Sequence, residues 1–477
     1  MKKGKGIKMG VIIRQEILNS DFIAIGDSKG NKITYKELTK KAENFAQYIE
    51  KRSLVFFLCD HHTETVQLLY EILYLNRVLL LIPADIQWEL IENLIMCYKP
   101  QYIYCTKTYE ASYRYNHKME LDRHVLLETE EKRYPIHPDI ALLLSTSGTT
   151  GNPKLVKLSY DNLYKNAEDI CLHMGIQNGQ KGISPLSMSY VYGLTFCIWH
   201  WHCGATLLIT EDSILSDKFR AFYRQEKANN FAGIPYTYQI LKKINFWQPE
   251  SLEYLHKAMC AGTQMSNSDQ AAMISLMKDK FWILYGQTEC TGVVSGMNFD
   301  ENNIKFGSVG KALKNTKVMI DGRTKELLLQ GPSVCMGYAN HIEQLKEGNK
   351  NQRVLHTGDV AYIDEEGCIY LKGRLTRYAK VLGKRLNFDD IENYLGDKFS
   401  GAEFACMGKD DDISVFYRTE NGIMDKEIKN LLDRNMKIPK KFISCFCIKE
   451  LPRNEAGKIR YMELEKLKDE GKDTGNL

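Results

Sequence analysis

Apolar residues in this chain fall in short runs that alternate with stretches of helical spacing. Ile33 to Ile49 carries apolar positions at helical intervals behind Thr34, a candidate N-cap, and predicts a helix. Val55–Leu58 reads as a strand, Glu64 to Leu75 as a helix and Val78–Ile82 as a strand. The alternation continues through Ile103-Tyr104 and the apolar run Ile140–Leu144 into a helix that ends at Met174 and is capped by Ser159. Strands alternating with helices predict an α/β protein with a largely parallel sheet. From about residue 304 the pattern changes to short strands and glycine turns, ending at Gly367–Gly373. Beyond Arg374 a charged segment leads into a compact tail with helices near Phe388–Leu395 and Lys426–Leu432. There is no internal repeat or low-complexity tract, and the last ten or so residues read as frayed. The expected organisation is a large multi-sheet α/β domain over 1–375 and a small α+β domain over 376–477.

Bulk properties narrow the functional classes. At 477 residues the chain is longer than one hydrophobic core usually serves. Its 44% hydrophobic and 26% charged residues are those of a soluble globular protein. A net charge of +4 over this length excludes a nucleic-acid binder that works through a basic field. The most apolar segment, Leu68 to Pro83, is interrupted by Glu71, Asn76 and Arg77 and predicts no membrane span. The Lys-rich start has no apolar core or cleavage site behind it, so a cytoplasmic location is expected. The 13 cysteines are odd in number and lack a C-x-x-C pair, which reads as reduced, mostly buried thiols. Trp199-His-Trp-His-Cys203 resembles a ligand cluster superficially, but no second pair lies at zinc spacing. Buried helix or pocket lining is the expected reading.

The chemistry concentrates in one loop. Ser145-Thr146-Ser147-Gly148-Thr149-Thr150-Gly151-Asn-Pro-Lys154 follows the apolar run ending at Leu144. Its glycines let backbone N–H groups approach oxygens closely, its hydroxyls donate further bonds, and Lys154 adds charge, a composition suited to phosphate. It is not a Walker A loop, which requires Gly-x4-Gly-Lys-Ser/Thr opening a helix. Leu155–Leu158 after the lysine reads as a strand, so a hairpin-like clasp is predicted. The string resembles the signature of the adenylate-forming enzymes: acyl- and aryl-CoA synthetases, nonribosomal peptide adenylation domains and beetle luciferase.

That resemblance covers nearly the whole chain and implies a large N-terminal nucleotide- and acid-binding domain with a mobile C-terminal lid. In such enzymes a carboxylate attacks the α-phosphorus of ATP and expels pyrophosphate. Catalysis then rests on positioning and on neutralising phosphate charge. Tyr285-Gly286-Gln-Thr288-Glu289 matches a family motif in which Tyr285 would stack on adenine, Thr288 would bind the α-phosphate and Glu289 would ligate Mg²⁺. Cys260-Ala261-Gly262-Thr263 resembles the strand end beside adenine and the acyl pocket. Asp359 in Thr357-Gly-Asp359 would accept from the ribose hydroxyls, and Arg374 would contact ribose or phosphate. Lys458 in Leu451-Pro-Arg-Asn-Glu-Ala-Gly-Lys458 would swing in with the lid and bridge the carboxylate and α-phosphate.

Departures from the family pattern narrow the substrate. Members that activate amino acids carry an aspartate after the position of Pro185, whereas Pro185–Leu194 has no acid. A buried ammonium without a counter-charge is costly, so a non-amino carboxylic acid is expected, with Tyr190, Gly193 and Ala261 in its pocket. Thr376 stands where the family hinge has Asp or Lys, and Gly383 is retained for the thiolation pose. The acceptor implied is CoA or a carrier-protein phosphopantetheine, which makes an acyl carrier protein a candidate partner. Alternatives are transfer to an amine or hydroxyl, a non-catalytic nucleotide-binding protein, and a P-loop NTPase or kinase, for which no Walker A string exists.

Overall fold

The computed structural model describes residues 12–109, 114–145, 154–299, 305–351, 353–375, 377–381, 384–399, 401–419, 422–454 and 457–474. The strand Val78–Pro83 shows how the main core is assembled. Leu79 and Leu81 enter one buried cluster and Leu80 and Ile82 another, because successive strand side chains project to opposite faces. Val78–Pro83 lies near the centre of an eight-stranded sheet, parallel to Leu54–Cys59 on one side and Ile140–Ser145 on the other. In a second, nine-stranded sheet, Ile23–Asp27, Thr206–Ile209, Lys181–Ile183, Asn230–Gly233, Lys257–Cys260 and Phe281–Gln287 run parallel in that spatial order.

The helices Tyr35–Phe45, Thr63–Tyr74, Tyr160–Met174 and Val191–Cys203 share one apolar cluster with the facing surfaces of both sheets. Asp217–Gln225, Pro235–Lys243 and Asn267–Met277 cover the far face of the nine-stranded sheet, and Trp88–Tyr98 that of the other. Five layers result, α/β/α/β/α, in agreement with the alternation in the sequence.

Local signals set the helix ends. Thr34 caps Tyr35–Phe45 in a capping box with Glu37, and Ser159 caps Tyr160–Met174 with Asn162. The first of these helices ends at Phe45 rather than Ile49, and Ile49 is buried from the following turn. Trp199–Cys203 is buried in the helix Val191–Cys203. His200 there donates from Nδ1 to Phe196 O (2.8 Å) and accepts at Nε2 from Asn230 (3.1 Å). Burial pushes its pKa down to about 4, which fits a neutral structural ring. The expectation of reduced thiols needs one correction. Cys171 and Cys203 are joined as a disulfide where their helices pack side by side, their Cα atoms 6.9 Å apart.

An antiparallel four-stranded sheet, Lys317–Ile320, Glu326–Gln330, Val354–Ile363 and Ile369–Arg374, follows. Its core takes in Tyr285, Cys290 and Val294 from the edge of the nine-stranded sheet, which brings both motifs to one place. Beyond residue 378 the chain builds separate apolar clusters around the strands Glu403–Lys409, Asp412–Arg418 and Ile443–Cys447 and the helices Phe388–Lys398 and Asp425–Met436. A final helix, Tyr461–Thr474, occupies residues expected to fray. Among the described residues no helix is long and apolar enough to cross a membrane.

Candidate active site

The C-terminal segment closes over the large unit and leaves a cleft of ≈ 1380 Å³. Ser145, Tyr190, Gly262, Tyr285, Gly286, Thr288, Glu289, Asp359, Arg374 and Lys458 all line it. Residues far apart in sequence therefore meet on one surface. Ile140–Ser145 and Leu155–Ser159 pair antiparallel, with Ser145 opposite Leu155, so the Ser/Thr/Gly loop joins two strands of a hairpin as expected. Thr146, Ser147, Gly148, Thr149, Thr150 and Gly151 lie outside the described residues, as do Thr376 and Gly383.

The strand Phe281–Gln287 turns through a short 3-10 segment, Thr288–Cys290, into the antiparallel strand Gly292–Asn298. Gly286 sits at the bulge in this pairing, where a Cβ would collide with the carbonyl of Gly292. This close approach requires glycine and sets Tyr285 and Glu289 on the cleft wall. Tyr285 is 8% exposed and donates its hydroxyl to Asp359 Oδ2 at 2.6 Å. Burial first, then the Asp359 charge, pushes the phenol well above its ordinary pKa, so it remains a donor.

Asp359 and Arg374 face each other across neighbouring strands, and Arg374 Nε lies 2.9 Å from Asp359 Oδ1. Gln287 also donates to Asp359 Oδ2, at 2.6 Å, and to the Thr357 carbonyl at 3.0 Å. The carboxylate expected to serve ribose is thus preorganised by three side chains. Gln287 was not singled out from sequence.

Tyr338, also unforeseen, touches both Lys154 and Glu289, the expected metal ligand. It lies on Tyr338–Ala339, paired with Leu155-Val156, and its hydroxyl donates to Glu289 Oε1 at 3.1 Å. Lys154 Nζ sits 3.4 Å from the centre of the Tyr338 ring, a cation–π contact. Nothing near Tyr338 in the sequence marks it, because a tertiary strand pairing brings it there.

Lys458 enters the cleft from a tight turn. Asn454 accepts the Lys458 N–H through its side chain (2.9 Å) and donates its own N–H to the Lys458 carbonyl (2.9 Å). Gly457 in this turn has φ +71°, and a Cβ there would collide with Ile234 Cδ1. Ile234 also lies under Gly262, so two glycines let the turn and the wall approach one side chain. Burial and then the Arg374 charge lower the Lys458 pKa below that of an ordinary lysine, against the pull of Glu289 and Asp359.

Two expected pocket residues do not open into the cleft. Gly193 packs the first turn of its helix against the backbone of Leu186 and Ser187, where a Cβ would collide. Ala261 is buried in the inter-sheet core, while its neighbours Cys260 and Gly262 reach the cleft. Tyr190, the N-cap of that helix, lines the cleft.

An intersheet α/β body, a Ser/Thr/Gly hairpin and a lysine delivered by a C-terminal segment together define an AMP-forming ligase of the acid-activating kind. The chain belongs to the AMP-binding enzyme family, whose pattern matches residues 16–339. It is 24% identical to the 2-succinylbenzoate–CoA ligase of Oceanobacillus iheyensis over 467 residues, covering 93% of this chain and 96% of that protein. A Bacillus cereus protein of the same name is 24% identical over 493 residues, covering 96% and 98%. Two solved structures share the fold at 18% identity. ATP-bound MatB from Rhodopseudomonas palustris matches with a TM-score of 0.78, covering 97% of this chain and 99% of that one. The o-succinylbenzoate CoA synthetase of Bacillus subtilis, in complex with its acyl-adenylate intermediate, matches with a TM-score of 0.77, covering 96% and 98%.

Proposed function

We propose that this enzyme uses ATP to convert a non-amino carboxylic acid into an acyl-adenylate, releasing pyrophosphate, and then passes the acyl group to the thiol of CoA. The observation that carries this reading is Lys458, a partly desolvated cation in the same cleft as Glu289, Asp359 and Arg374. The Ser145–Lys154 hairpin would hold the phosphates. The Asp359 carboxylate, preset by Tyr285, Gln287 and Arg374, would accept from the ribose hydroxyls. Lys458 would neutralise charge as the carboxylate oxygen reaches the α-phosphorus, an interaction strongest in the transition state.

Glu289 presents a hard carboxylate oxygen on the cleft wall, held by Tyr338, which suits Mg²⁺ accompanying ATP. Bound there, Mg²⁺ would supply charge neutralisation to the departing pyrophosphate. Desolvation by the overlying C-terminal segment strengthens each of these interactions.

The two-domain division at 375/376 fits the separate apolar clusters on either side, and the later segment would act as a lid. Asp389 on the lid accepts the Arg374 N–H at 3.1 Å and pairs with Arg377, which spans the proposed hinge. CoA is the acceptor favoured by the names of the similar ligases, with carrier-protein phosphopantetheine as the finer alternative. The absence of an acid in Pro185–Leu194 supports exclusion of α-amino acids. The test is a panel of fatty, aromatic, dicarboxylic and amino acids, scored by pyrophosphate release with and without CoA. Release with single amino acids alone would overturn the substrate assignment.

A further inference from the structure

A second polar cluster sits away from the cleft, at the joint between the two large sheets. His62 precedes the helix Thr63–Tyr74, Glu64 is in its first turn and His124 begins the strand His124–Glu128. These three offer ligand atoms within 4.8 Å of one another, and none lines the cleft. His124 is 1% exposed; its Nδ1 lies 2.9 Å from Glu64 Oε2, and its Nε2 lies 2.7 Å from Asp60 Oδ2. Asp60 is in turn fixed by the Thr65 hydroxyl (2.5 Å) and the His62 N–H (3.0 Å).

His62 lies between Glu211 and Glu64. It is 6% exposed, yet its buried Nε2 has no hydrogen-bond partner; the nearest acid, Glu211 Oε1, is 3.6 Å away. Its Nδ1 lies 3.8 Å from Glu64 Oε2 and 3.4 Å from the Glu64 N–H. Nε2 thus faces Glu211, and Nδ1 is the nitrogen on the Glu64 side.

We propose that His62 Nδ1, His124 Nδ1 and Glu64 Oε2 form a binding site for a divalent transition metal of the zinc class. Tetrahedral zinc with bonds near 2.0–2.1 Å sets its ligand atoms about 3.4 Å apart. The two distances to Glu64 Oε2, 2.9 and 3.8 Å, bracket that value. Both imidazoles would then present the opposite nitrogen to a carboxylate, His124 to Asp60 and His62 to Glu211. That is the outer-carboxylate arrangement that orients metal-bound histidines. The helix N-terminus works against a cation here, and the carboxylates of Asp60, Glu64 and Glu211 offset it, with Arg123 (2.5 Å) and Lys29 (3.6 Å) paired to Glu211. The site joins Asp60–Glu64 and His124 of one sheet to Glu211, which follows a strand of the other. Metal would therefore act as a structural tie independent of catalysis.

The test uses the full chain, stripped with a chelator, in a Cys447→Ser background that removes an exposed thiol. Co²⁺ and then Zn²⁺ are titrated and followed by visible absorption and equilibrium dialysis. The expected result is one Co²⁺ per chain with nitrogen/oxygen d–d bands and no thiolate charge-transfer band, displaced by Zn²⁺, with a raised thermal midpoint. His62→Gln and Glu64→Gln each remove a ligand and should weaken binding by more than the roughly 10- to 100-fold that loss of an outer-shell partner costs. Pyrophosphate exchange at the normal rate verifies that each variant is folded; if one fails this control, the other decides. Absence of equimolar binding, a thiolate band, or unchanged affinity in the folded variants would overturn the assignment.

Discussion

Gly457→Ala isolates the docking of the C-terminal turn that carries Lys458. The glycine has φ +71°, and a left-handed conformation costs an alanine about 1–2 kcal/mol. Its new Cβ would also meet Ile234 Cδ1, and Ile234 is buried, so that side chain must leave its rotamer at about 0.5–1.5 kcal/mol. The sum, about 1.5–3.5 kcal/mol, is an adenylation loss of up to roughly 10- to 300-fold at ~1.4 kcal/mol per decade. Ile234→Val deletes the colliding Cδ1 and keeps the branched stem, so the double variant should recover only the steric share, about 2- to 12-fold. The assay is carboxylate-dependent exchange of pyrophosphate into ATP, with thermal melts as a control for folding. A Gly457→Ala enzyme that is folded and exchanges at the normal rate would refute the docked pose. A loss that Ile234→Val leaves unchanged would refute the contact.

The remaining residues give sharper functional separations. Tyr338→Phe removes one hydrogen bond to a charged group, about 1.5–3 kcal/mol, so adenylation should fall and the Mg²⁺ needed for half-saturation should rise. Glu289→Gln should do the same more severely, and an unchanged metal response in both would place the metal elsewhere. Lys458→Ala should lower adenylation by roughly 10²–10³-fold while acyl transfer from supplied acyl-adenylate survives; equal losses would mean that it supports folding or docking instead. The cationic form of Lys458 is the active one, and its pKa is lowered, so adenylation should fall as pH rises at lower pH than for an ordinary lysine. Arg374→Gln removes the neighbouring positive charge and should move that alkaline limb upward, as read from a kcat–pH profile.

Much of the scaffold was legible because local chemistry decides it. Thr34 and Ser159 satisfy helix N-termini with their own side chains, and the alternation of Val78–Pro83 divides its leucines between two cores. Contiguous motifs placed Glu289, Asp359 and Lys458 on the cleft before their partners were known. Their supports were not legible. Tyr338 reaches Glu289 through a pairing with Leu155-Val156, and Asp359 meets Arg374 across a sheet. Gly193 packs its helix against a loop and does not line the cleft, and a glycine serving such packing carries no mark in the sequence distinguishing it from one beside a ligand. Helix length was overestimated at Ile49, whose burial continues the periodic pattern after the backbone has left the helix.

The central claim is that a carboxylate oxygen attacks the α-phosphorus of ATP within the Glu289–Asp359–Lys458 cleft. The most direct measurement supplies the acid giving the strongest pyrophosphate release with both carboxylate oxygens labelled with ¹⁸O, together with ATP and CoA. Mass analysis of the nucleotide should find one ¹⁸O in AMP and none in pyrophosphate, because the oxygen that forms the acyl-adenylate stays with phosphorus when the thiol displaces it. Label in inorganic phosphate with ADP as the nucleotide product, or unlabelled AMP, would contradict the account.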